Sequence, residues 1–171
     1  MLESIRDIGP VFLIPAAWIV AALSIVGTLS SDGMYIAHVV MVVFISFFVA
    51  TGWTQMERGA LRAWRVVLLL GLPITLAGLG GFVLSEFQTM LHSISFVGWM
   101  VLPAGGFVYT ARELPEAAFV YLSGAVLSVL GAVAAVAGIA LDDLTLLMLS
   151  ISLVIVGQTA GILDASFRDR L

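Results

Sequence analysis

Long apolar stretches alternate with short polar breaks along the 171 residues of the chain. A helix needs about 20 apolar residues to cross a hydrocarbon layer of about 30 Å. Six stretches have about that length and predict six transmembrane helices: Pro10–Leu29, Met34–Trp53, Val66–Leu84, His92–Thr110, Ala117–Leu141 and Leu144–Leu163. The breaks leave no room for a sizeable domain between the spans. The pattern therefore predicts an all-α integral membrane protein, with residues 1–171 forming a single six-helix bundle.

The composition excludes most soluble classes of protein. Hydrophobic residues make up 61% of the chain and charged residues 11%, and the mean hydropathy is +1.17. A soluble domain is about half apolar and about a quarter charged. A soluble enzyme, a nucleic-acid-binding protein and a disordered linker are therefore excluded. The chain has no cysteine, which excludes disulfides and thiolate chemistry. It also has no lysine and a net charge of −4, a composition that suits a salt-adapted organism (a halophile) or one with a GC-rich genome.

Basic and acidic residues fall on opposite sides of the predicted membrane. The arginines lie in the two tails and in the second and fourth connections: Arg6, Arg58, Arg62, Arg65, Arg112, Arg168 and Arg170. The first, third and fifth connections carry only acids: Asp32, Glu86, Asp142 and Asp143. Cytoplasmic loops of membrane proteins are enriched in arginine and lysine, so this distribution places both termini in the cytoplasm. We expect a multi-pass protein of the cell membrane. The acids also suit helix starts, where they complement the helix dipole.

Residue offsets indicate an internal repeat. In each of the three acidic connections, an acid is followed six residues later by a corresponding position in the next predicted helix: Asp32 by His38, Glu86 by His92, and Asp143 by Leu149. An offset of twenty then leads from each histidine to an arginine: His38 to Arg58, and His92 to Arg112. We interpret the chain as three helical hairpins in tandem, at residues of about 8–56, 62–113 and 116–169. The competing interpretation is that any hairpin membrane protein shows acids outside and arginines inside.

The two histidines are the candidate ligands. His38 and His92 are the only histidines of the chain, and the repeat places them at one depth on helices of one direction. Two imidazoles at equal depth suit the two axial positions of a haem iron. The alternative is that each ring sits at the membrane interface, where an amphipathic side chain is tolerated.

A sequence resemblance favours the haem hypothesis. The helix that begins at His92 continues as Trp99-Met100-Val101-Leu102-Pro103-Ala104 and then Gly105-Gly106-Phe107. This stretch resembles the second helix of subunit I of haem-copper oxidases, where a histidine binds the low-spin haem. The connection Val108-Tyr109-Thr110-Ala111-Arg112-Glu113-Leu114 is similar to the same connection in B-family terminal oxidases. The helix from His38 is a looser version of the pattern.

The resemblance implies a bis-histidine, cytochrome b-like protein. It would carry haem b on His92 and, by the repeat, on His38, and would act in electron transfer or as an accessory part of a respiratory terminal oxidase. The chain lacks the further histidines of the oxygen-reducing centre, so we expect no independent catalytic activity. The acidic rim is a second departure from the family, whose haem propionates contact basic residues.

Two other hypotheses rest on small and polar residues. Gly124, Gly131 and Gly138 recur every seven residues, and Gly157 and Gly161 form a small-xxx-small pair, which favours close helix packing over contact with a planar cofactor. A cofactor-free structural or assembly subunit would use such a face to dock on partner helices.

A small channel or carrier for a neutral solute would instead need a polar path. That path would run along Gln158, the histidines and the serines of the spans, although these polar groups suit interhelical hydrogen bonds better. The expected partners are membrane lipids, together with respiratory oxidase subunits or further copies of the chain. No nucleic acid is expected.

Overall fold

The computed structural model describes the backbone of residues 2–168 and the side chains of residues 9 and 11–168. Within these limits the fold is all-helical, as predicted. Its helices are α1 (Leu2–Ile25), α2 (Ser31–Gly52), α3 (Leu61–Gly80), α4 (Gln88–Glu113), α5 (Ala118–Leu141) and α6 (Leu144–Arg168). Short 3₁₀ turns at Gln55–Glu57, Ser85–Phe87 and Pro115–Ala117 join α2 to α3, α3 to α4 and α4 to α5.

Five of these helices, α2 to α6, are long and apolar enough to cross a membrane. In α1, the apolar stretch within the part whose side chains are described is Val11–Ile25. Many of the largest apolar side chains lie on the outside of the bundle, among them Phe119, which is 85% exposed. This surface suits contact with lipid tails and agrees with a multi-pass membrane protein.

The structure corrects several predicted span boundaries, among them the following three. The first span does not reach Leu29, because Gly27 adopts a left-handed conformation (φ 73°) and ends α1. The third span ends at Gly80 instead of Leu84, because the chain turns there towards α4. The break predicted at residues 30–33 is also too long. Helix α2 starts at Ser31, and the hydroxyl of Ser30 accepts a hydrogen bond of 3.2 Å from the N–H of Gly33, which caps the helix.

Each helix packs against its neighbours in the sequence, and α6 returns to pack against α1. This closes a ring of six helices, and α4 also contacts α6 across it. Sequential packing is what short connections favour. The ring places the starts of α2 and α4 beside the end of α3.

The predicted charge separation corresponds to the two ends of the bundle. At one end the guanidinium of Arg65 lies 4.7 Å from the ring centroid of Trp53, and Arg168 pairs with Glu116 at 3.4 Å. The opposite end carries Asp32, Glu86 and Asp143. We call these the arginine end and the acidic end. The side chain of Arg6 and all of Arg170 lie outside the described part, and the assignment of the ends to the two sides of the membrane stays a prediction.

The glycine stripe of α5 packs inside the bundle, against α6. A Cβ added at Gly124 would lie 2.9 Å from the carbonyl oxygen of Gly157, and one at Gly157 would lie 3.0 Å from that of Gly124. A Cβ added at Gly131 would likewise lie 2.8 Å from the carbonyl oxygen of Ser150. Helix packing is therefore the role of these glycines. The stripe is covered by α6, so it offers no face to a planar cofactor or to a partner helix.

Candidate functional site

The site is assembled from three helices at the acidic end. His38 lies about two turns into α2, and His92 lies about one turn into α4. Both helices start at this end of the bundle, and α3 ends between them. Because the starts of α2 and α4 flank one helix, the two histidines meet there. Their ring centroids are 6.4 Å apart, and their planes are inclined by 32°.

A hydrogen bond fixes the His38 ring. Its Nδ1 lies 3.0 Å from the carbonyl oxygen of Met34, one turn earlier in α2. A carbonyl oxygen only accepts, so the Nδ1–H group of His38 donates this hydrogen bond. The neutral imidazole then keeps its lone pair on Nε2. This arrangement is typical of histidines that bind metals, in which the second nitrogen donates to a backbone carbonyl.

His92 presents a nitrogen without a partner. Its Nε2 is buried and makes no hydrogen bond with any described residue. The backbone of Gly78 lies close to this imidazole. A buried polar atom left unpaired costs about 1 to 3 kcal/mol. A ligand at this nitrogen would remove that cost.

Two glycines at the end of α3 form the floor of the site. A Cβ at Gly78 would lie 2.5 Å from Nε2 of His38 and 2.6 Å from the hydroxyl oxygen of Ser95. A Cβ at Gly81 would lie 2.6 Å from Nε2 of His92. The edge of each imidazole that carries Nε2 therefore faces α3. Any larger residue at either position would occupy the place beside these nitrogens.

The aromatic ring of Phe82 packs against both imidazoles. The ring centroid of Phe82 lies 5.4 Å from that of His38 and 4.5 Å from that of His92. Tyr35 in turn packs against Phe82 at 5.8 Å, on the side of the acidic end. Both histidines nevertheless stay partly exposed.

The residues at this site do not fit a haem. Two imidazoles on one iron have their Nε2 atoms directed at each other, and the macrocycle extends several ångströms around the iron in every direction. Here the Nε2 edges of His38 and His92 both face α3. The backbone of Gly78 and Gly81 occupies one side of the pair, and Phe82 occupies another. A flat ring between the imidazoles would collide with both.

A single metal ion bound by both imidazoles needs less space than a haem. Metal–imidazole bonds of about 2.0 Å place the ring centroids of a bridged pair about 6 Å apart. The observed separation of 6.4 Å is close to this value. To hold one ion, both rings would have to turn so that their Nε2 atoms leave the backbone of Gly78 and Gly81. Carboxylates lie outside this site, and no group of three or more His, Asp or Glu residues occurs in the part of the chain that the structure describes.

The other predicted polar residues lie elsewhere and act in packing. Gln158 is 2% exposed and forms hydrogen bonds with Trp18 of α1 and with the backbone carbonyl of Trp99 of α4. The hydroxyls of Ser123, Ser150 and Ser152 donate to carbonyl oxygens one turn earlier in their own helices. Leu149, which the repeat aligns with the histidines, is 47% exposed and lies outside the site.

Comparison of the chain with protein-family models, with curated proteins and with solved structures finds no match. The resemblance to oxidase subunit I and the threefold repeat therefore stay predictions.

Proposed function

We propose that the protein binds one transition-metal ion between His38 and His92, near one face of the membrane. The observation that carries this proposal is the meeting of the only two imidazoles of the chain, 6.4 Å apart, at the ends of three helices. The lone pair that His38 keeps on Nε2 and the unpartnered Nε2 of His92 support it.

The donor atoms select the kind of ion. Imidazole nitrogen suits zinc, copper, nickel and iron, whereas magnesium and calcium prefer carboxylate and carbonyl oxygens. The nearest acids in sequence, Asp32 and Glu86, lie at the helix starts of the acidic end and are exposed. We therefore expect first-row transition metals to bind and alkaline-earth ions not to bind.

Metal stoichiometry tests this proposal. The purified protein in detergent is loaded with Zn²⁺ or Cu⁺ and desalted, and its metal content is measured by mass spectrometry. We expect one ion per chain, lost in His38→Ala and in His92→Ala because neither histidine holds an ion alone. Glu86→Gln is the matched control and should keep the ion. No bound ion of either kind, or equal binding in both histidine variants, would overturn the proposal.

Haem binding is the second candidate, and the paired histidines and the oxidase-like stretch from His92 favour it. In this hypothesis the protein carries haem b and serves electron transfer, or a respiratory terminal oxidase as an accessory part. Haem binding requires both imidazoles to turn their Nε2 atoms away from the backbone of Gly78 and Gly81. A reduced-minus-oxidised spectrum after haem-replete expression tests it. Haem bands that vanish in His38→Ala and His92→Ala would support haem, and a colourless wild-type protein would contradict it.

The two remaining hypotheses, a structural subunit and a small channel or carrier, stay predictions, and the structure limits the residues that each could use. The structural-subunit hypothesis needs a free glycine face, and α6 covers that face. The carrier hypothesis needs Gln158 along a polar path, and both polar atoms of this side chain are engaged in hydrogen bonds.

A further inference from the structure

We infer that the connection from α2 to α3, at the arginine end, binds the headgroup of an anionic phospholipid. The basic side chains of this site are Arg58, Arg62 and Arg65, which we call the arginine cluster. The site is separate from the histidine pair, which lies at the opposite end of the bundle. Three features point to a lipid: the unpaired charge of the cluster, a tryptophan beside it and the apolar surface that continues from it.

The protein does not neutralise the arginine cluster. None of its three side chains forms an ion pair or a hydrogen bond with any residue that the structure describes. Arg168, at the same end, is instead paired with two carboxylates, Asp164 at 2.7 Å and Glu116 at 3.4 Å. The first turn of α3 carries no acid, and the one acid of the connection, Glu57, is exposed. The cluster therefore keeps a positive charge that an anion from outside the chain can balance.

The fold holds the backbone of the cluster in place. The 3₁₀ turn before it is anchored by the buried side chain of Met56. Gly59 then adopts a left-handed conformation (φ 58°), and α3 begins two residues later. Arg62 and Arg65 are three residues apart in this helix, so they are neighbours on its surface. Binding of an anion here orders side chains only, which keeps its entropic cost small.

Trp53 marks the level of the membrane interface. It lies at the end of α2 and is 44% exposed, and tryptophan is enriched at the level of the lipid headgroups. The guanidinium carbon Cζ of Arg65 lies over this indole, 4.7 Å from the ring centroid. The contact holds the guanidinium at headgroup level and leaves its N–H groups without a protein acceptor. Such a guanidinium suits a phosphate, whose oxygens can accept two parallel hydrogen bonds.

Exposed apolar side chains continue from the cluster along α3. Val66 and Leu70 follow Arg62 at intervals of four residues, which places all three on one face of the helix. Val66 is 49% exposed and Leu70 is 50% exposed. A charged group followed by an apolar stripe matches a phospholipid, in which the phosphate and the acyl chains come in the same order. A free phosphate would use the charged part alone.

The charge of the cluster selects anionic phospholipids. Phosphatidylcholine carries an ammonium group next to its phosphate and brings no net charge to the site. Phosphatidylglycerol has a net negative charge and is attracted by each basic residue near the membrane surface. We therefore expect phosphatidylglycerol to bind more tightly than phosphatidylcholine with the same acyl chains.

Lipid titration of arginine variants tests the inference. The full chain in detergent is titrated with each of the two lipids, labelled with pyrene on an acyl chain, and energy transfer from the tryptophans reports binding. We expect Arg62→Gln and Arg65→Gln each to weaken phosphatidylglycerol binding by about fivefold. Arg168→Gln is the matched control, because it removes the same charge from the same end but from an arginine that is already paired. Equal affinity of the wild type for both lipids, or an equal loss in Arg168→Gln, would overturn the inference.

A variant of opposite sign keeps the test valid if an arginine variant does not fold. The side chain of Glu57 is exposed and forms no hydrogen bond with a described residue, so Glu57→Gln should fold normally, as circular dichroism can check. Removal of this acid should strengthen phosphatidylglycerol binding by about twofold or more, and an unchanged affinity would contradict an electrostatic site.

Inorganic phosphate separates a lipid site from a site for a free anion. At constant ionic strength, excess phosphate should not displace phosphatidylglycerol, because it cannot contact the apolar stripe. Displacement by phosphate would show that the cluster binds a free anion and that the lipid assignment is wrong.

Discussion

Trp18 on α1 and Gln158 on α6 are joined by a hydrogen bond of 2.9 Å from the indole N–H to the side-chain oxygen Oε1. The amide nitrogen of Gln158 donates in turn to the carbonyl oxygen of Trp99 on α4, at 3.1 Å. The most deeply buried amide of the bundle is thus an interhelical tie among three helices. Both of its polar groups are satisfied without water, as an apolar environment requires.

We expect Gln158→Leu to lower the free energy of unfolding by about 1 to 2 kcal/mol, because it leaves the Trp18 indole and the Trp99 carbonyl unpaired. Thermal or SDS unfolding in detergent measures the change. Ser152→Ala is the control, since this exposed serine bonds only within its own helix. Metal binding should be unchanged in both variants, and loss of binding in Gln158→Leu would connect this residue with the site after all.

Two tryptophans bridge α3 and α4 in a reciprocal arrangement. Trp99 on α4 donates to the hydroxyl of Thr75 on α3 at 2.9 Å, and Trp64 on α3 donates to that of Thr110 on α4 at 3.1 Å. Each threonine hydroxyl donates onward to the carbonyl oxygen four residues earlier, both at 2.9 Å. We expect Trp64→Phe and Trp99→Phe to lose about 0.6 to 1.7 kcal/mol each, the range of such bonds in membranes.

A double-mutant cycle tests this reciprocity. Trp99→Phe and Thr75→Val should be strongly coupled, whereas Trp99→Phe and Thr110→Val, which do not share a bond, should have nearly additive effects. Additive effects in both cycles would show that these hydrogen bonds do not contribute to stability.

The α5–α6 contact should tolerate no added methyl group. Gly124→Ala directs a Cβ at the carbonyl oxygen of Gly157, and we expect it to destabilise the bundle by about 1 to 3 kcal/mol. Gly105→Ala meets no atom within 4 Å, and there alanine should stabilise the helix by about 0.5 to 1 kcal/mol. Unfolding of the two variants in parallel checks both signs. Equal effects would contradict the close approach of the two helices.

The orientation of the bundle can be tested because the chain has no cysteine. Single cysteines are introduced as Glu86→Cys at the acidic end and Glu57→Cys at the arginine end, both at exposed positions. The positive-inside rule predicts that a membrane-impermeant maleimide labels Glu86→Cys in intact cells and Glu57→Cys only after permeabilisation. The reverse pattern would place the histidine site on the cytoplasmic side.

The sequence predicted the helices and the meeting of the histidines because both depend on local or sequential features. Apolar length marks the spans, and short connections pack successive helices side by side. The offset shared by His38 and His92 sets similar depths, so sequential packing brings them together.

The rest of the site depends on contacts between distant residues. A glycine in an apolar helix gives no indication of what faces it, so the roles of Gly78 and Gly81 as a floor were not apparent. Phe82 resembled any other apolar residue of the third span. The haem hypothesis rests on the equal depth of the two imidazoles. The sequence does not indicate in which direction their Nε2 atoms point, because that direction depends on how closely the end of α3 packs against them.

The most direct test of the central claim is whether one ion binds to both histidines at once. The chain has only two histidines, so a protein labelled with ¹⁵N at histidine has two Nε2 resonances to follow. On titration with Ag⁺, the account predicts that both resonances shift together and saturate at one ion per chain. If only one resonance shifts, or each saturates with an ion of its own, the two imidazoles do not form a single site.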